Sequence, residues 1–327
     1  MKKVILITII LILSFVSKVT AQAPGDTLWT KCYGGPGSDK GSEIQLTSDG
    51  GYIITGRTGS FGAGAQDAYL IKTDANGDTL WTKTYGGADW DYAYSVKQTT
   101  DGGFIVAGGS KSFSSGGDYD VYLIKTDANG DTLWTRTYGG TDTEYGSSVQ
   151  LTSDGSYIII GVTMSFGAGD RDFYLIKTDA NGDTLWTKTY GGTDSDEGYS
   201  VQLTSDGGYI IVGETCSYGI PTGSADVWLI KTDANGNILW SQNYGGSLTD
   251  FGNSVQLTSD GGYIIAAGTW SYGAGYTDAY LIKTDISGNS LWTQTYGNSF
   301  YDTAYSIQQT ADGGFIFTWD FWGAELT

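Results

Sequence analysis

The chain repeats itself, and that constrains its fold more than any other feature. Leu-Trp recurs with its tryptophan at positions 29, 81, 134, 186, 240 and 292, a spacing of 52–54 residues. An Asp-Gly or equivalent pair keeps step, at Asp49, Asp101, Asp154, Asp206, Asp260 and Asp312. Leu70–Gly87 and Leu175–Gly192 are identical over their whole length. A chain assembled from such copies folds as supersecondary units that bury their apolar faces against one another.

One unit divides into four strand-like runs. In the second copy, run A is Ala93–Thr99, run B Phe104–Gly108, run C Val121–Thr126 and run D Thr132–Tyr138. All four are rich in Val, Ile, Thr, Tyr and Trp and have the lengths of strands. Asp101-Gly102-Gly103 separates A from B, and Asp127-Ala128-Asn129-Gly130 separates C from D. Both are tight-turn signals, because glycine accepts the positive φ that short hairpins need. A Ser/Gly-rich loop, Lys111–Tyr119, joins B to C.

Outside the first residues no segment has the 3.6-residue periodicity of an amphipathic helix. Runs B and C are apolar at consecutive positions, as in Tyr157-Ile158-Ile159-Ile160, which suits a sheet covered on both faces. Four-stranded antiparallel sheets repeated at this period and buried between copies are propeller blades. The expected fold is therefore all-β, a β-propeller. Trp29, Trp81, Trp134, Trp186, Trp240 and Trp292 are expected to pack between blades. The inventory runs from a lone D run, Thr27–Tyr33, through five complete units, to A and B runs over Ala304–Thr318. Six blades follow, the last one closed from both termini. Its C strand is missing: Trp319–Thr327 either supplies it or marks a frame cut from a longer chain, and the second reading is preferred. Residues 22–327 are read as one propeller domain.

The pattern Tyr-Leu-Ile-Lys-x-Asp-x-x-Gly-x-x-Leu-Trp, seen in Tyr122–Trp134, resembles the repeat of quinoprotein-like and WD40-like propellers. The whole unit resembles the propeller repeats of exported bacterial surface proteins. The likeness extends over residues 25–318. It implies a fold, and little about function, since propellers host many activities.

Residues 1–21 read as a secretory signal: Lys2 and Lys3, an apolar run Val4–Val16, and a small-residue site Val19-Thr20-Ala21. The run is short for a membrane span, and no other stretch is apolar enough. The expected location is outside the cytoplasm: extracellular, at the cell surface or periplasmic. Removing the three lysines of the signal takes the net charge from −19 to −22. A chain this acidic repels nucleic acid and anionic lipid. Histidine is absent, which excludes Ser-His-Asp and Cys-His catalysis and histidine metal sites. Cys32 and Cys216 fall at different positions of the repeat and form no disulfide framework.

The sixth residue after each run-D tyrosine is acidic: Asp39, Asp91, Glu144, Asp196, Asp250 and Asp302. A second acid precedes each run C, at Asp67, Asp120, Asp172, Asp226 and Asp278. In a propeller the D-to-A and B-to-C loops share one face, and run A lines the channel, so the first series is expected around its mouth. Such carboxylates must be solvated, protonated or neutralised. Two roles fit them. One is to cap their own loops, which their presence in every unit favours. The other is a weak cation site, with Ca²⁺ as the candidate cofactor. The Asp74-Ala75-Asn76-Gly77-Asp78 turn lacks the Gly and the distal Glu of a calcium loop and reads as a hairpin turn. Loop residues peculiar to one unit are Trp90, Ile220-Pro221-Thr222 and Tyr276.

No acidic cluster peculiar to one unit stands out, Asp194-Ser195-Asp196-Glu197 being the densest, so a catalytic role is disfavoured. The favoured function is a monomeric, non-catalytic binding or display scaffold. It takes a protein or glycan through the long-loop face, with Trp90, Tyr276 and the first acid series as candidate contacts. A glycoside-acting enzyme using two loop carboxylates and a purely structural surface array are the alternatives.

Overall fold

The computed structural model describes residues 5–6, 29–219 and 224–321. Most of the proposed signal, the Ile220-Pro221-Thr222 loop and residues 322–327 lie outside them. The described chain is built of strands. Five four-stranded antiparallel sheets follow one another, each with strand order A-B-C-D. Sheet 1 spans residues 39–85, sheet 2 91–138, sheet 3 144–190, sheet 4 196–244 and sheet 5 250–296. Sheet 6 holds an A strand, Asp302–Gln309, a B strand, Phe315–Phe321, and Ile5–Leu6, which pairs in parallel with Ile316 and Phe317.

Two of the sequence expectations change here. Trp319 belongs to the B strand of sheet 6, which is seven residues long like the other B strands, so the sixth run B does not stop at Thr318. Residues 29–33 form no strand among the described residues. They instead lie against sheet 1: Trp29 meets Tyr52 edge-on, and Tyr33 Oη donates to Gly77 O at 2.7 Å.

The chain divides into two compact units. One holds residues 11–166 and 174–189, the other 1–10, 167–173 and 190–327. In the first, strands B and C of sheets 1, 2 and 3 interleave Ile53, Leu70, Phe104 and Val106, then Ile105, Leu123, Tyr157 and Ile159. In the second, Ile210, Leu229, Ile265 and Ile282 join sheets 4 and 5, and Ile264, Leu281, Ile307 and Phe317 join sheets 5 and 6. The C strands are buried at every residue, as in Asp120–Thr126 and Asp226–Thr232. That is why they read as unbroken apolar runs rather than alternating ones.

The turns are set by local chemistry. Gly102 and Gly130 hold φ of 83° and 79°, which side chains with a Cβ rarely adopt. In the A–B turn of sheet 2, Thr99 Oγ1 and Gly103 N both donate to Asp101 Oδ1. In the C–D turn, Asn129 N and Asp131 N donate to Asp127 Oδ1 at 2.8 and 2.9 Å. Asp74, in the turn compared with a calcium loop, is likewise an Asx cap, accepting Asn76 N and Asp78 N at 2.8 Å.

Strand D fastens sheets 1, 2 and 4 to the C–D turn of the sheet that follows each of them. Tyr85 Oη donates to Gly130 O at 2.7 Å and Tyr138 Oη to Gly182 O at 2.6 Å. The repeat tryptophans lie beside these tyrosines. Trp81 meets Phe104, Trp134 meets Tyr157 and Trp240 meets Tyr263, at centroid separations of 5.9–6.1 Å. They are half-buried rather than buried, and Trp292 is exposed. Strand D is the outer strand of its sheet, so each indole covers its neighbour on one side only.

Candidate functional site

Every acid of the two series is the first residue of a strand rather than part of a loop. Asp91 opens strand A of sheet 2. Its carboxylate accepts Gly87 N at 2.8 Å, Ser112 Oγ at 2.6 Å and the Ser110 hydroxyl. Glu144, Asp196 and Asp250 repeat the bond to the amide four residues earlier, at 2.8–2.9 Å. Asp302 accepts Asn298 N at 2.7 Å and Asp39 accepts Gly35 N at 2.8 Å. Burial would raise the Asp39 pKa, but hydrogen bonds from Ser60, Thr58 and Gly35 lower it on balance. All but Asp39 are fully buried.

The second series does the same for the B–C loops. Asp67 accepts Ala63 N and Gly64 N, Asp172 accepts Ala168 N and Gly169 N, and Asp278 accepts Ala274 N and Gly275 N. Burial raises the pKa of Asp67, Asp120 and Asp172, and the neighbouring first-series carboxylate adds to the rise. The two series converge on the glycine after each run-D tyrosine. A Cβ at Gly139 would stand 2.1 Å from Asp120 Oδ1 and 2.6 Å from Glu144 Oε2. Gly86, Gly191, Gly245 and Gly297 meet the same pair of carboxylates. Among the described residues no group of three or more His, Cys, Asp or Glu side chains is placed to hold a metal ion.

The singular residues lie elsewhere. Trp90 meets Tyr92 edge-on, Tyr92 stacks on Tyr119 at 5.5 Å, and Tyr119 lies 5.0 Å from Tyr145. The Arg57 guanidinium stands 4.8 Å over the Tyr92 ring, a cation–π contact. A second group surrounds Tyr276. It stacks on Tyr301 at 5.1 Å with 10° between the planes, and Trp270 meets Tyr301 at 6.5 Å. Trp270, Tyr276 and Tyr301 are 43%, 59% and 49% exposed. Sequence reasoning found Trp90 and Tyr276 but not their partners, which stand at different places in the repeat.

One acidic group peculiar to a single unit does exist, contrary to expectation. Glu197 in strand A of sheet 4 stands directly opposite Glu214 in strand B. The register then shifts between Gly198 and Ser200, leaving Tyr199 as the extra residue of a β-bulge. Tyr199 Oη lies 2.9 Å from a Glu197 oxygen and 3.1 Å from a Glu214 oxygen. Arg171 pairs with Glu197. Burial pushes the Glu214 carboxyl up to about 7, helped by the Glu197 charge and opposed by Tyr199 and Arg171. Aligning the copies offered the signal: the positions equivalent to Glu214 hold Arg57, Gly109, Val162, Gly268 and Asp320.

No family model matches the chain. It is 30% identical over 273 residues to the regulatory protein FlaEY of Caulobacter vibrioides, covering 73% of this chain and 27% of that protein. It is 26% identical over 204 residues to an uncharacterized WD repeat-containing protein of Acanthamoeba polyphaga mimivirus, covering 58% of this chain and 13% of the relative. The chain thus spans about a quarter or less of these relatives. Among solved structures, a mutant NanB sialidase from Streptococcus pneumoniae aligns with a TM-score of 0.56 at 9% identity, over 86% of this chain and 65% of that one. The Neurospora crassa Pan2 WD40 domain aligns at 0.47 and 10% identity, over 84% of each chain. The fold is a β-propeller repeat of four-stranded antiparallel sheets. At such identities the structural likeness shows fold alone.

Proposed function

We propose that the protein is an exported, non-catalytic binding or display scaffold that takes a protein or glycan through its D–A and B–C loops. In this reading it has six blades, the sixth begun by residues 302–321. The exposed aromatic group Trp270, Tyr276 and Tyr301 carries the reading. Aromatic faces held rigid by stacking present contact area at little entropic cost, as at recognition surfaces generally. Neither series of repeat acids contributes in the same way, because acids such as Asp91, Glu144, Asp67 and Asp172 bond back to the amides of their own loops. The test is binding of the purified chain to a glycan array and to an extracellular protein extract, beside a Tyr276→Ala/Tyr301→Ala variant. Binding lost in the variant at unchanged melting temperature supports the reading. Binding that ignores these rings, or release of reducing sugar from the glycans, overturns it.

A glycoside-acting enzyme is the second reading. Glu197 and Glu214 favour it: one carboxylate is paired with Arg171, the other is held neutral to about 7, and both lie within 3.1 Å of one hydroxyl. Environments that drive two carboxyl groups apart in this way mark acid and base partners.

A further inference from the structure

We propose that Glu197, Tyr199 and Glu214 form a proton-dependent latch at the loop end of sheet 4, in which one shared proton ties strands A and B together and its loss loosens them. A tyrosine hydroxyl has one hydrogen to donate. Tyr199 stands between two carboxyl groups, so it donates to one and accepts from the other only if that other carries a proton. Burial and the two flanking charges raise the Tyr199 pKa, so the phenol remains the donor. The like-charged pair faces itself directly across the ladder at Glu197 and Glu214, a placement that destabilises a hairpin when both are ionised.

The groups facing Glu214 are few. Glu197, Tyr199 and Asp196 come from strand A, Arg171 from the preceding B–C loop, and Cys216 from its own strand's end. On the other side of Glu214 the ladder supplies Val227, which is apolar and buried. Arg171 is the one cation among them, and it is already paired with Glu197. A second negative charge at Glu214 would share that one guanidinium with Glu197. The latch adds to the other ties at that end, where the Thr215 and Ser217 hydroxyls donate to Asp196 and Cys216 N donates to Ser195 O at 2.9 Å.

The sign follows from linkage. Opening returns Glu214 to its ordinary value near 4.5, whereas the closed latch holds it near 7. The latch is fully closed below the lower value, weakens tenfold for each pH unit between the two, and levels off above the higher.

The chain has five glutamates, at 43, 144, 197, 214 and 325, so carboxyl-¹³C glutamate labelling of the whole protein gives a spectrum of five carboxyl signals. One of them, Glu214, should titrate near neutrality, and Glu214→Gln should remove that signal. Tyr199→Phe, which removes the hydroxyl bonded to Glu214, should move that titration. Over the same pH range the hydrogen-exchange protection of the Cys216 amide should fall about tenfold per unit in wild type, and stay level in Glu214→Gln. Ordinary titration of all five glutamates overturns the proposal, and so does a neutral-range titration with unchanged Cys216 protection. The wild-type titration decides even where a variant fails to fold.

Discussion

Replacing Ser156 by glycine should stabilise the protein, by an amount that can be worked from the other copies. The last residue but one of strand C is a lysine, nearly buried in all five four-stranded sheets: Lys72, Lys125, Lys177, Lys231 and Lys283. In four copies its ammonium sits 2.8–3.0 Å from the A–B turn aspartate and 2.8–2.9 Å from the carbonyl of the next threonine. Each of these four turns has glycine beside the ammonium. A Cβ at Gly208 would stand 2.0 Å from Thr232 O and 2.8 Å from Lys231 Nζ. Sheet 3 has Ser156 at that place. There the Lys177–Asp154 separation is 3.5 Å, and Lys177 donates to Thr152 Oγ1 at 2.6 Å instead. Burial lowers the Lys177 pKa, against the pull of Asp154.

Ser156→Gly should let the ammonium return to the Thr178 carbonyl and to Asp154. A hydrogen bond from a charged donor contributes about 1.5–3 kcal/mol. Two such bonds are gained, the lost Thr152 bond from the same ammonium offsets one of them, and the freedom glycine adds to the unfolded chain offsets about 0.5–1 kcal/mol more. The net gain is about 1 kcal/mol, or about 2 °C in melting temperature for a chain of this size. Urea unfolding with calorimetry measures it, and Gly208→Ser should give a loss of similar size. A Ser156→Gly protein no more stable than wild type, beside a harmless Gly208→Ser, would refute the idea that the missing Cβ seats the ammonium.

Trp134→Ala should cost about 2 kcal/mol, less than the 3–5 of a core indole, because the ring is covered on one side. Leu133→Ala, 58% exposed, should stay within about 0.5 kcal/mol, and equal losses in urea unfolding would refute this assignment of strand faces. Acid should weaken the A–B turns together. Burial opposes the shift at Asp101 and Asp206, but bonds from Lys125 and Lys231 lower both to about 2, and bonds led by Thr152 and Thr258 bring Asp154 and Asp260 to about 2. Their folded values are depressed, so this stability is present above pH 3.8 and is lost as pH falls toward 2. It amounts to about 1 kcal/mol each after solvent screening, and Asp206→Asn should remove its share from the acid limb of a stability–pH curve. If the first-series acids are loop caps alone, calcium and magnesium at equal ionic strength should shift the melting temperature alike. A calcium-specific rise that Asp196→Asn abolishes would assign them a cation.

What the sequence made legible is what each copy carries within itself. The period, the A-B-C-D order and the turns could be read because an Asp-Gly turn is decided by a few adjacent residues: Asp101 and Gly102 supply the acceptor and the positive φ without help from elsewhere. The doubly covered B and C strands were legible for the same reason, since burial on both faces writes itself as an unbroken run such as Phe173–Ile176. The acids were found as a series but placed in loops, although each is the first residue of a strand. A carboxylate that bonds backward to amides three to five residues before it looks like loop sequence until the ladder is known. The tryptophans were recognised as packing residues, yet their half-exposure depends on strand D being outermost, and composition does not carry that.

The chemistry peculiar to one sheet was the least legible part, and the reason is geometric. Glu197 and Glu214 are separated by a whole A–B hairpin; Glu197 shows only as part of the acidic run Asp194–Glu197, and Glu214 does not stand out in its own segment. The antiparallel register brings them opposite each other, and the bulge at Gly198–Ser200 then frees Tyr199 to lie between them. A pairing of this kind exists only after the turn length and the bulge are both fixed. A repeat protein hides such a site especially well. Identical copies draw attention to what recurs, and what recurs here, from Asp39 to Asp302, is spent on closing loops. The residues free to do something else are those that depart from the repeat. They become visible as a group only when six copies are laid in structural register and read across the strands rather than along them.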